Sequence, residues 1–145
     1  MVGVGTGMGR GLRAAGDVGG ELVHWRAAED EISADGHGTH RTEIMYNDFV
    51  IIGPQSDPAN VQSTASAAAA LSAIAQSQAV FVSRGDDSGT HKADIALWDD
   101  VAFGPWYWAF GSGMVATLNT ASAMHAYTLS DRASWLNVAN TRALQ

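Results

Sequence analysis

The sequence predicts an α/β fold with a mostly parallel sheet and flanking helices. Two observations predict it: short β-branched or aromatic runs alternate with helical patterns, and Gly, Pro, Ser and Asp punctuate the boundaries. A third is composition, because 46% hydrophobic residues in a chain of 145 suffice for one core. No internal repeat at a fixed period is visible.

Element by element, MVGVGTGMGRG reads as a strand remnant running into a glycine-rich turn. Residues 8–15 form only a weak helix, since each interior Gly costs about 1 kcal/mol relative to Ala. Residues 21–25 (ELVHW) read as a short strand and 26–36 as a helix ended by Gly36. EIMYNDFVIIGP at 43–54 is the strongest strand signal, stopped by Gly53-Pro54, with Pro54 and Pro58 bracketing a turn.

From Ser63 to Gln78 the chain is mostly Ala, Ser and Gln. Ala is the best helix former, and Leu71 and Ile74 lie three apart, so this is a small-residue helix packed closely on a sheet. AVFV at 79–82 is a buried strand, and Ser88 or Thr90 caps a helix over 91–100. Gly104-Pro105 leads into WYWAF, Ser112 opens a helix over 113–126, YTL at 127–129 is the last strand, and Ser130 caps a terminal helix through Leu136.

Charge and cysteine content exclude several classes. The net charge is −7 and the 8 Lys and Arg are scattered without a basic stripe, which argues against nucleic-acid binding. With no cysteine there is neither a disulfide framework nor a thiolate metal site, and the compartment is left open. The longest weakly apolar stretch, 67–75, falls short of the roughly 20 residues a bilayer needs. The first residues lack the regions of a signal peptide, so export is not encoded in the chain as given.

The glycine cluster GVGTGMGRG fails the dinucleotide pattern, because Met8, Arg10 or Leu12 stands at the third glycine position, and it lacks Gly-Lys-Ser/Thr. An anion-facing turn with Thr6 and a plain flexible turn remain equal readings. His37 and His40 have metal-like spacing without a third ligand nearby and read as a surface loop, while His24 and His125 read as ordinary structural residues. No Gly-x-Ser-x-Gly elbow exists. Arg84-Gly85-Asp86 matches an adhesion tripeptide only by its three letters.

SRGDDSGTH at 83–91 has more physics behind it. A strand end, Arg84, and then Ser88, Gly89 and Thr90 at a helix start gather a guanidinium fork, two hydroxyls and N–H groups at the positive end of a helix dipole. Asp86 and Asp87 would repel an anion unless they turn away, holding Arg84 or accepting backbone N–H bonds. GSGMVAT at 111–117 repeats the idea with Ser112 and Gly113. Two such helix starts aimed at one cleft suit a small tetrahedral oxyanion.

MYNDFVIIGPQSDPANV at 45–61, FVSRGDDSGTHKADIALW at 81–98 and WYWAFGSGMVATLNTASAMHAYTLSDRASWL at 106–136 together resemble the tungstate-binding proteins of bacterial ABC importers, which are type II periplasmic binding proteins. GTG at 5–7, GD at 16–17, LVH at 22–24 and AAE at 27–29 extend the resemblance. It implies a type II periplasmic-binding-protein-like α/β clamp that closes on tungstate, with molybdate as a competitor, and hands it to a membrane permease in the periplasm. It implies no catalysis, no cofactor and no cation site.

By that resemblance Arg84, Ser88 and Thr90 line the anion site, with Ser83 and Gly89 beside them, and Thr6, Gly7, Ser112 and Gly113 contribute further donors. Residues 1–44 correspond to a partial first lobe, 45–136 to the second lobe with its hinge strand, and 137–145 to a C-terminal tail. The family's Thr/Ser-rich first loop and its returning segment have no counterpart in the chain. Gly19, Trp25, Met8 and Arg10 stand where the family usually has an acidic residue, Asp, Gln and an apolar residue. Two alternatives accompany the importer reading: a truncated relative that folds, or dimerises through an exposed sheet edge, with weakened anion binding, and a phosphate-handling enzyme using the same donors.

Overall fold

A computed structural model describes residues 30, 33–36, 40, 42–44, 48–98, 101–138 and 143–145. The expected strand remnant, the weak helix 8–15 and the strand 21–25 lie outside these residues. Of the expected helix 26–36, Asp30, Ser33 and Ala34 are helical, and Gly36 ends it at φ 77 with its N–H on the Ser33 carbonyl.

Four strands follow: β1 Phe49–Ile52, β2 Phe81–Ser83, β3 Tyr107–Ala109 and β4 Thr128–Asp131. Four helices alternate with them: α1 Ala67–Ser77, α2 Gly89–Leu97, α3 Met114–Met124 and α4 Arg132–Asn137, with a short 3-10 turn at Val61–Ser63. β2 and β3 are parallel, and β1 and β4 antiparallel with Phe49 opposite Asp131. Tyr127 joins the two pairs: its N–H donates to the Val80 carbonyl and its carbonyl accepts the Val82 N–H, both at 2.8 Å. The order is therefore β3-β2-β4-β1, parallel through the centre and antiparallel at β1.

The expected α/β alternation is the observed one, with differences of extent. Among the described residues of the strand expected over 43–54, Phe49 to Ile52 pair with β4, residues 43 and 44 lie in no strand, and Gly53-Pro54 end the pairing with β4 as expected. Residues 143–145 are more than a tail. Gly53 and Gln145 exchange backbone hydrogen bonds of 3.1 and 2.9 Å, and Pro54 bridges Leu144, so the C-terminal residues extend the antiparallel edge beyond β1. Ser130 does not cap α4. Asp131 does, accepting the Ser134 N–H at 2.8 Å, because the strand runs two residues further than YTL indicated, to Asp131 itself.

Both faces of the sheet are covered, as the alternation of β2 requires. Phe81 and Val82 are each fully buried but on opposite sides. Phe81 packs with Leu71, Ile74, Trp98, Trp106 and Tyr127 under α1 and α2, and Val82 with Ile52, Met114, Leu118 and Ala121 under α3. The Ala-rich composition of α1 lets it approach closely, with Ala70, Leu71 and Ile74 inward and Ser66 capping its start.

A second fastening holds the loop after β1. The Tyr127 hydroxyl donates to Asp57 Oδ1 at 2.7 Å and accepts the Ala59 N–H at 3.0 Å. Asp57 also accepts the Val61 and Gln62 N–H groups at 2.9 and 3.1 Å, fixing the 3-10 turn. Burial pushes the Tyr127 hydroxyl up to about 12. Burial also works to raise the Asp57 carboxyl, yet Tyr127 and the two N–H donors outweigh it and hold Asp57 below its ordinary 3.8. On the far side of β1, Asp48 receives Arg132 at 2.7–2.9 Å, and that pairing lowers the Asp48 carboxyl.

Gly53 lies against this tyrosine. A Cβ there would stand 2.3 Å from Tyr127 Cδ1 and Cε1, a distance no side chain tolerates. Gly53→Ala is therefore expected to destabilise the fold by about 1–3 kcal/mol through overpacking, read as a lower urea midpoint at unchanged slope. The lowered Asp57 carboxyl fixes a pH dependence as well. Its folded pKa is below the unfolded 3.8, so its stabilisation is complete above that value and lost as pH falls below it. Tyr127→Phe should flatten part of that acid limb in thermal unfolding at stepwise lower pH.

Candidate anion site

Parallel pairing puts the carboxyl ends of β2 and β3 at one edge of the sheet, where open α/β folds bind ligands. Each strand runs through a short loop into a helix: β2 through 84–88 into α2, β3 through 110–113 into α3. The loops are stitched together. Phe110 donates its N–H to the Ser83 carbonyl at 3.0 Å, and Ser112 to the Arg84 carbonyl at 3.1 Å. Gly85, at φ 62, packs flat on Ala109, where a Cβ would lie 3.0 Å from the Ala109 Cβ and 3.1 Å from its backbone carbon. Glycine meets both demands of that position, the left-handed backbone and the close approach.

Within the first loop the carboxylate of Asp86 is turned onto its own neighbours. It pairs with the Arg84 guanidinium, with Nε at 3.1 Å from Oδ2, and Oδ1 accepts the Ser88 N–H at 3.2 Å. Both modes expected of it are realised at once. Burial works to raise the Asp86 carboxyl, but Ser88 and Arg84 outweigh it and hold it below the carboxylate range. Asp87 turns outward at φ 57 and pairs with Lys92.

Of the two candidates for the cap of α2, the structure selects Ser88, whose Oγ accepts the His91 N–H at 3.2 Å. Thr90, in the first turn, is 1% exposed, and among the described residues its Oγ1 has no hydrogen-bond partner. A buried hydroxyl left unmatched costs free energy and calls for an explanation. α3 opens differently from the expectation: Gly113, not Ser112, is its N-cap, and no side chain caps it. The Ser112 and Gly113 carbonyls accept Thr117 Oγ1 at 3.4 and 3.1 Å, which fixes that corner from inside.

Beneath the loop lies a group that the sequence reading missed. Asp94 is 2% exposed; its Oδ1 accepts the Trp98 indole N–H at 2.6 Å and its Oδ2 the Tyr107 hydroxyl at 3.0 Å, tying α2 to β3. Burial pushes the Asp94 carboxyl up, further than Ser83, Trp98, Tyr107 and His91 draw it back, and burial likewise raises the Tyr107 hydroxyl. The Ser83 hydroxyl, 2% exposed, lies near enough to both to ease their shifts yet makes no hydrogen bond of normal geometry. Thr90 is thus the more clearly unpartnered of the two. The available signal was Asp94 one helical turn after Thr90, which places both on one face of α2.

Of the sequence-predicted residues, Ser83, Arg84, Ser88, Gly89 and Thr90 follow one another from the end of β2 through the loop into the first turn of α2, and the Ser112–Arg84 bond brings Ser112 and Gly113 against that loop. Thr6 and Gly7 lie outside the described residues, as does His37. His40 is exposed, and among the described residues no three His, Asp or Glu side chains gather as a metal site. No described helix is long and apolar enough to cross a membrane.

An α/β layer that delivers two helix starts to one edge has the architecture of a ligand-binding lobe. The PBP superfamily domain matches residues 1–145, and the chain belongs to that superfamily. It is 46% identical over 135 residues to a Haloferax volcanii protein named as an ABC transporter anion-binding protein, covering 91% of this chain and 40% of that one. To the tungstate-binding protein TupA of Peptoclostridium acidaminophilum it is 41% identical over 143 residues, 95% of this chain and 50% of the relative. The crystal structure of the tungstate ABC transporter from Geobacter sulfurreducens superposes with a TM-score of 0.89 at 42% identity, covering 99% of this chain and 64% of that chain. The chain thus spans half or less of the length of these two curated relatives.

The raised Asp94 carboxyl carries its own stability signature. Its folded pKa exceeds the unfolded 3.8, so its contribution is complete below that value and lost as pH rises through the folded value. Asp94→Asn should therefore gain on wild type as pH climbs from about 4 towards neutrality, measured by urea unfolding at each pH.

Proposed function

We propose that the chain binds a tetrahedral oxyanion, tungstate or molybdate, as the substrate-binding component of an ABC importer, without catalysis. One observation carries the reading: two stitched helix starts present N–H groups, the Arg84 guanidinium and an unpartnered buried Thr90 hydroxyl at one sheet edge. A dianion there would supply the acceptor that Thr90 lacks and sit at the positive ends of both helices. The names of its relatives, anion-binding and tungstate-binding proteins of ABC transporters, point the same way.

On this reading Arg84, Ser83, Thr90, the hydroxyls of Ser88 and Ser112 and the N–H groups of Gly89 and Gly113 form the site, with Thr6 and Gly7 as further proposed donors. Asp86 spreads its charge onto Arg84 and Ser88, so it orients the guanidinium rather than repelling the ligand. Residues 45–136 are the second lobe and 1–44 part of the first, in a periplasmic protein that meets a membrane permease. No proton has to move for such a ligand to bind and leave, so the hydroxyl and amide donors are sufficient chemistry.

Thermal and urea unfolding with tungstate, molybdate, sulfate and phosphate test this. A binding anion at a hundredfold excess over its Kd should stabilise the fold by about 2.7 kcal/mol, and no response to any of the four rejects the reading. Arg84→Ala should abolish the response. Thr90→Val separates site from scaffold: removing an unpartnered buried hydroxyl should stabilise the anion-free protein by about 1 kcal/mol or more while weakening the anion response.

A further inference from the structure

The entrance to α2 is fastened by a side chain from its own first turn. Asp87 adopts the left-handed conformation at φ 57, and its N–H donates to His91 Nδ1 at 3.1 Å. The backbone N–H of His91 donates in turn to Ser88 Oγ. Ring and backbone of one residue therefore grip both Asp87 and Ser88. A ring nitrogen that accepts a hydrogen bond carries no proton, so this contact requires an imidazole whose hydrogen is on Nε2.

We infer that His91 is a positioning residue for the anion site: its neutral Nδ1 holds the Asp87 turn, and so the direction in which Ser88, Gly89 and Thr90 present their donors. This rests on the oxyanion reading of the site. The left-handed conformation is uncommon for a non-glycine residue, though Asp enters it more readily than most, and the ring acceptor helps to hold it at Asp87. Protonation places a hydrogen on Nδ1, the Asp87 N–H then faces another donor, and the turn loses its fastening.

Charge works in the opposite sense, since an imidazolium beside an anion would attract it. The groups that face the ring decide between the two effects. Asp94 interacts with it from the next turn of α2, with Ser83 of β2 and Tyr107 of β3 around that carboxylate. Asp87, paired with Lys92, lies across the turn, and the Arg84–Asp86 pair lies in the loop that the ring closes. Asp94 meets the added charge from the next turn, the Asp87 carboxylate is engaged by Lys92, and loss of the acceptor dominates.

Isothermal titration calorimetry of tungstate with the full chain, at neutral pH and at steps to either side of it, tests this. Wild-type affinity should fall about two- to tenfold on the acid side, the scale of one hydrogen bond. His91→Asn, whose amide oxygen takes the place of Nδ1 and does not titrate, should keep the neutral-pH affinity and lose the acid fall. His91→Ala should be about two- to tenfold weaker throughout. The Asp87 amide resonance should move on acidification in wild type and not in His91→Asn.

Tighter binding in acid, an unchanged acid fall in His91→Asn, or full affinity in His91→Ala at neutral pH would each overturn the inference while leaving the anion site standing. A wild type that binds no oxyanion at any pH overturns the site reading and, with it, this role; the Asp87 amide then shows separately whether the fastening exists.

Discussion

β2 is only three residues long, yet its backbone is bonded on both edges. Phe81 donates to the Trp106 carbonyl on one side, and Val82 to the Tyr127 carbonyl on the other. Its side chains are claimed by two separate cores, Phe81 on one face and Val82 on the other. With both edges and both faces occupied, the direction in which the chain leaves Ser83 is fixed. The Arg84 loop and the start of α2 inherit that precision, because a site on a rigid strand end moves less than one on a free loop. β3 gains its place from the same strand, and the Ser112–Arg84 bond passes it on to α3.

The local chemistry at this edge runs against the molecule as a whole. The chain carries a net charge of −7, which in bulk repels an anion. What would favour an anion at the proposed site acts over a few ångströms: oriented N–H groups, a guanidinium and buried hydroxyls, where screening is weak and distance short. Asp86 shows how an acidic residue is accommodated in such a place. Its charge is engaged by Arg84 and by a backbone N–H, which holds the guanidinium in one orientation.

Features set by a few adjacent residues were legible in the sequence. The cap of α2 was narrowed to Ser88 or Thr90, the engagement of Asp86 followed from charge alone, and Gly36 and Gly53-Pro54 were read correctly as stops. Features set by residues far apart were not. The β-branched run before Gly53 looks like one long strand, but the length of β1 depends on β4, which offers only four partners. Asp94 looks like a solvated helix residue until the aromatics at 98 and 107 close over it. Residues 143–145 contain no strand signal at all; their pairing is imposed by the open edge beside Gly53. Ser130 and Ser112 were each one position from the true cap, the usual error where a strand or loop ends by tertiary register.

The aromatic nest behind the loop has an optical consequence. Trp98 and Trp106 lie 5.4 Å apart at 54°, with Phe81 and Tyr107 against Trp98, and the Trp98 indole is bonded to Asp94. Rings held this close and this obliquely couple their electronic transitions, and an indole bonded to a carboxylate emits according to that carboxylate's state. The native packing thus carries a chromophore wired to the floor of the Arg84 loop, and small rearrangements there are written into its near-ultraviolet dichroism and fluorescence without any label.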